Sequence, residues 1–142
     1  MAAWQFDLYF ISRDASAPNL DAEDWEAPPL PLSLVRDVQT ELANYLGAPW
    51  FMLPDWLVFG PEKGNRVDIL FENEVEASVF VRCDVRDEAP QFLVLVSNLA
   101  HIHGCRFFFP QSRELLEPNL KVLESAIRRS SARILPDELL RR

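Results

Sequence analysis

The chain is poor in the residues from which most recognisable chemistry is built: it has two cysteines, two histidines and four glycines in 142 residues. Two cysteines cannot make a disulfide framework, which points to a reducing compartment and a cytoplasmic location. Four glycines leave little room for a phosphate-cradling loop. "GPEKGN" (60–65) carries a lysine between two glycines, but no Lys-Ser/Thr follows, so it reads as a turn joining two strands. A G-x-S-x-G nucleophile elbow is absent. There is no apolar run of about 18 residues, so no membrane span is expected. The opening "MAAWQFDLYFISRD" lacks a basic start and carries Asp7 inside its apolar stretch, which favours a first strand over a secretory signal.

Positive charge is scarce as well, with 14 Lys and Arg against 22 Asp and Glu, a net charge of −8. The deficit is uneven. Residues 1–60 hold nine acids against Arg13 and Arg36, whereas the remaining 82 residues hold 13 acids and 12 bases. Such a surface repels phosphate backbones, so nucleic acid is not an expected partner. A basic protein suits it better, because complementary fields speed encounter.

The apolar content (49%) and charged content (25%) are those of an ordinary globular chain, and the length suits one domain over 1–142. "AWQFDLYFIS" alternates Trp4, Phe6, Leu8 and Phe10 against polar or mixed neighbours, which is strand periodicity. A long acidic, proline-rich loop is expected over 13–32. Ser33 then caps a helix to Leu46, with Leu34, Val35, Val38, Leu42, Tyr45 and Leu46 as its apolar stripe and Gly47 as its stop. "APWFMLPDW" reads as a proline-bounded aromatic loop leading into the strand "WLVFG".

In "RVDILFE" Val67, Ile69 and Phe71 face one way, and "VEASVFVRCDVR" alternates strictly. Placing Phe71 opposite Val75 predicts a three-residue hairpin loop, Glu72-Asn73-Glu74, with Asp68 beside Ser78 and Arg66 beside Phe80. A second helix is expected to start at Asp87 to Ala89, with Pro90 in its first turn, and to end at Gly104, with Phe92, Leu95, Val96, Leu99 and Ile102 inward. "CRFFF" is a short aromatic strand, and Pro118 opens a third helix with Leu120, Leu123, Ala126 and Ile127 inward. The order β-α-β-β-β-α-β-α argues for an α+β fold, specifically a ferredoxin-like split β-α-β sandwich with one added antiparallel strand and a C-terminal helix. Helices would cover one sheet face and leave the other open, carrying Asp68, Glu76, Arg82, Asp84 and Arg86 as an alternative ligand face, that of a small-ligand-binding or weakly catalytic domain.

"LAHIHGCRFFFP" (99–110) sets His101, His103 and Cys105 two apart, in the manner of metal ligands. On a helix, His101 and His103 diverge by about 200° and cannot share an ion. Cys105 shares a strand face with Phe107 and Phe109 and reads as a small buried hydrophobe. No metal, cofactor or catalytic residue is therefore expected. The acids Asp21, Glu23, Asp24 and Glu26 around Trp25 form the candidate partner-binding loop, with Trp25 as a desolvated anchor.

The segment "CRFFFPQSRELLEPNLKVLESAIRRSSARIL" resembles the end of small acidic bacterial proteins of the polymorphic-toxin immunity type. The pattern falls on Leu116, Glu117, Pro118, Leu123, Ala126, Arg129 to Ser131 and Ala132, in the last third of the chain. The resemblance implies a non-enzymatic immunity protein that neutralises a toxin by occlusion, and a monomer or homodimer is expected.

Overall fold

The computed structural model describes residues 5–16, 18, 27–87 and 89–140, with side chains as far as 130. Its elements run β1 (Gln5–Ser12), β2 (Leu30–Pro31), α1 (Leu32–Leu46), β3 (Trp50–Leu53), β4 (Trp56–Phe59), β5 (Arg66–Phe71), β6 (Glu76–Asp84), α2 (Pro90–Ile102), β7 (Cys105–Phe109), β8 (Glu114–Leu116) and α3 (Leu120–Leu140). The fold is α+β, a single eight-stranded sheet ordered β3-β4-β5-β6-β1-β7-β8, with β2 also paired to β6. All its pairings are antiparallel. None of the helices is long and apolar enough to cross a membrane among the described residues.

Three strands go beyond the order expected from the sequence. β2 occupies the end of the presumed loop and lies along β6 at Leu30↔Ala77 and Pro31↔Glu76, beyond the stretch of β6 that β1 covers. β3 forms where Pro49 and Pro54 bracket "WFML", since neither proline falls within the paired stretch. β8 closes the opposite edge against Phe107–Phe109.

Period-2 alternation decides what lies beneath the helices. Phe6, Leu8 and Phe10 of β1, Val79, Val81 and Cys83 of β6, and Cys105, Phe107 and Phe109 of β7 all join one core. Val35, Val38 and Leu42 of α1, Phe92, Val96, Leu99 and Ala100 of α2, and Leu123 and Ala126 of α3 fill the helical side of that core. Both expected helical stripes are too wide: Tyr45 is 73% and Ile102 64% exposed, because each lies at the edge of its helix's buried arc.

Helix starts also differ from the residues that suggest them. α1 begins at Leu32 behind Pro31, so Ser33 is an exposed first-turn residue and no side chain caps that end. α3 begins behind Asn119, whose Oδ1 accepts the Val122 N–H at 2.9 Å. α2 opens at Pro90 and closes through His103 and Gly104, where φ is +66°.

The β5–β6 hairpin pairs Phe71 with Ala77, Leu70 with Ser78, Asp68 with Phe80 and Arg66 with Arg82. This register differs by two residues from the one that a three-residue loop requires. A shift of two preserves every residue's face, so the core alternation survives while the cross-strand neighbours change. Val75 is left outside the pairing and is 67% exposed. Asn73 sets the longer loop: its Oδ1 accepts the N–H groups of Val75 and Glu76 at 2.9 and 3.0 Å.

Candidate functional site

The sheet face away from the helices is not the open polar surface that its charges suggest. Ile11, Val58, Phe80 and Phe108 are buried there yet stand outside the helix-side core. Asp68 is 0% and Arg66 2% exposed. Arg66 donates from Nε and Nη2 to the two Asp68 oxygens at 3.0 and 3.1 Å, and from Nη1 to the Glu62 carbonyl at 2.6 Å. Trp56 adds an indole N–H to Asp68 Oδ2 at 2.7 Å. Burial pushes the Asp68 carboxyl above its ordinary range, opposed by the Trp56 and Arg66 hydrogen bonds and by the Arg66 and Arg82 charges. These groups satisfy one another, so Asp68 offers nothing to a ligand.

The rest of the expected ligand face is dispersed. Arg82 Nε reaches Asp7 at 3.3 Å, two register positions along from the Tyr9–Phe80 ring contact at 5.6 Å. Burial, and then the Asp7 charge, push the Tyr9 phenol upward. Glu76 is half-buried beside the hairpin loop and accepts from Asn73 Nδ2 at 3.2 Å. Ser78, on the same face as Asp68, is buried and donates to Glu72 at 3.0 Å. Asp84 is also buried, and Arg86, just past the end of β6, forks onto its two oxygens at 2.9 Å each. That fork, aided by the Arg86 N–H and charge, holds the Asp84 carboxyl below its ordinary range against the opposing effect of burial.

Asp84 also borders a cavity of about 420 Å³ between the end of β6, the start of α2 and α3. Asn65, Asp87 and Glu124 line its polar side, and Leu93 and Ile127 its apolar side. Asn65 ties this corner together by accepting the Asp84 N–H at 2.8 Å and donating to Asp87 at 3.4 Å. Sequence reading missed Asn65 and Glu124, because nothing in the local pattern brings a turn and the last helix to the same corner.

The histidine–cysteine motif divides as the helix geometry requires. His101 is exposed, and His103 turns inward with its Nε2 at 3.9 Å from Glu41 Oε2 of α1. Cys105 is fully buried, its Sγ directed at the His103 carbonyl at 3.6 Å. Burial pushes the thiols up to about 12 at Cys83 and about 11 at Cys105. Among the described residues no three His, Cys, Asp or Glu side chains converge on a common point. The candidate partner loop, Asp21, Glu23, Asp24, Trp25 and Glu26, lies outside the described residues.

A different surface stands out at the β3 edge. Phe51 and Leu53, two apart on this terminal strand, are 64% and 53% exposed. The edge is firmly held: Trp50 donates its indole N–H to the Gly60 carbonyl at 2.7 Å, and the Asp55 carbonyl accepts the Phe71 N–H at 2.9 Å. Compared with known proteins, the chain matches no family model, no curated protein and no solved structure.

Proposed function

We propose that this is a non-enzymatic binding protein for a basic protein partner, most concretely an immunity protein that neutralises a bacterial toxin by occluding it. The observation that carries this reading is the concentration of negative charge in the first 60 residues, with nine acids against two bases. Asp37 and Asp55, from that half, stand exposed on α1 and on the β3–β4 turn. The ion pairs Arg66–Asp68 and Arg86–Asp84 take up the buried carboxylates of the opposite face, leaving surface acids and aromatics for contact. In fold terms, the run β7-β1-β6-β5, with α1 leaving β1 and α2 joining β6 to β7, supports a ferredoxin-like split β-α-β centre extended by β3, β4 and β8.

The test is association with the partner recovered from the source organism. Its rate should fall as salt shortens the Debye length to about 8 Å near physiological ionic strength. Reversing Asp21, Glu23, Asp24 and Glu26 to Lys should abolish binding with little change in Tm. Trp25→Ala, measured for affinity and stability together, separates an anchor from a loop staple. Salt-independent association that survives the reversal would defeat the proposal.

The cavity beside Asp84 favours a second reading, a small-ligand site. Its mixed lining of carboxylates and apolar side chains is the composition of such sites. A fragment screen that perturbs the amide signals of Asn65 and Leu93 would support it.

A further inference from the structure

Resting on the binding reading above, we propose that the β3 edge is the docking surface for an extended, lysine- or arginine-bearing strand of the partner, which adds to the sheet beside Trp50–Leu53. β3 is a terminal strand, so among the described residues one side of its backbone has no neighbour within the sheet. Native edges are normally blunted by charge or proline, because an unpaired apolar edge recruits other chains. This edge is shortened by Pro49 and Pro54, but the strand between them carries exposed Phe51 and Leu53 and no charged side chain. Of the large hydrophobics that stand exposed among the described residues, Phe51 and Leu53 share this one short strand, whereas Tyr45, Val75, Val94 and Ile102 are scattered elsewhere.

Two further features point to an occupant. The edge is preorganised, since Trp50 is bonded to Gly60 and the Asp55 carbonyl to Phe71, so little ordering is required on docking. Its nearest charge along the chain is acidic: Asp55, exposed on the β3–β4 turn, is the one charged residue between Gly47 and Pro61, in a chain of net charge −8. A second copy of this chain would bring like charges together, whereas a basic strand meets their complement. Backbone pairing along so short an edge gives modest affinity. Selectivity then falls to side chains packing on Phe51 and Leu53.

The probe is a short synthetic peptide alternating lysine with valine, compared with its glutamate–valine counterpart, titrated into the full chain and followed by amide NMR. The lysine peptide should shift the signals of residues 50–53 and the glutamate peptide should not. N-methylating the peptide along one edge should abolish binding, and along the other leave it intact. Phe51→Lys with Leu53→Lys should weaken binding about thirtyfold with Tm retained. Shifts centred elsewhere, indifference to N-methylation or unchanged binding by the double variant would overturn the proposal. So would a wild-type dimer that the double variant dissociates, since a second copy would then occupy the edge. If reversing the 21–26 acids abolishes partner binding while the double variant binds the partner normally, this surface fails and the binding reading stands. If partner binding survives both changes, the binding reading itself fails.

Discussion

The indole N–H of Trp56 meets Oδ2 of Asp68 at 2.7 Å, joining β4 to a carboxylate that has no exposed surface. The same carboxylate receives both arms of Arg66, which in turn holds the Glu62 carbonyl of the β4–β5 turn. A buried ion pair of this kind adds little net stability over an apolar pair, but becomes costly when one partner is removed.

Asp68→Ala should therefore lose about 3–5 kcal/mol, and Trp56→Phe about 1–3 kcal/mol, in urea unfolding at neutral pH. Replacing the pair together, Arg66→Met with Asp68→Leu, should recover most of the loss. If Asp68→Ala were as stable as wild type, the cluster would have to be open to water.

This cluster also marks where sequence reading stops. The strict alternation of Val79, Val81 and Cys83 reported the core face directly, because period-2 placement is a local property. Arg66 and Asp68 fall on the other face by the same rule, and a charged row there reads as solvated. Nothing local says that Trp56, two strands from β6, delivers an N–H to Asp68, or that Ile11, Val58 and Phe108 are buried on that face. The divergence of His101 and His103 was legible because helix pitch alone fixes it. β3 was not, because its flanking prolines signal a loop while its four residues are long enough to pair. The candidate loop around Trp25 was legible only as a concentration of acids, which specifies charge and not position.

The hairpin register rests on Asn73, whose side chain closes two backbone N–H groups of the loop. Asn73→Ala should cost about 1 kcal/mol, the usual effect of losing a side-chain cap on backbone donors, whereas Asn73→Asp should retain most of it. Equal stabilities of the alanine and aspartate variants in urea unfolding would show that the register is set elsewhere.

Burial makes both thiols poor nucleophiles, with Cys83 pushed up to about 12 and Cys105 to about 11. The native protein at about pH 8, near the free-thiol value, should react with a thiol-specific disulfide reagent far more slowly than the unfolded chain does. Two thiols should be counted promptly only in denaturant. Rapid modification of one cysteine in the folded protein would reveal a local opening at β6 or β7.

The Asp84–Arg86 fork predicts an acid-dependent stability whose sign follows from the direction of the shift. Arg86 holds the folded-state carboxyl below its ordinary value, so the native state releases this proton more readily than the unfolded chain. The contribution is fully present above the unfolded aspartate value of about 3.9 and is lost as pH falls through the lower folded value. Asp68 works in the opposite direction, its raised carboxyl favouring the folded state on acidification, so the wild-type curve alone does not isolate either group. The difference between wild type and Arg86→Ala does. Their gap in Tm should stay level from about pH 7 to about pH 5 and narrow below about pH 4, as Asp84 takes up its proton and the fork ceases to be an ion pair. A gap that persists unchanged to the lowest pH at which both variants fold would mean that Arg86 stabilises the turn through packing and not through the Asp84 carboxylate.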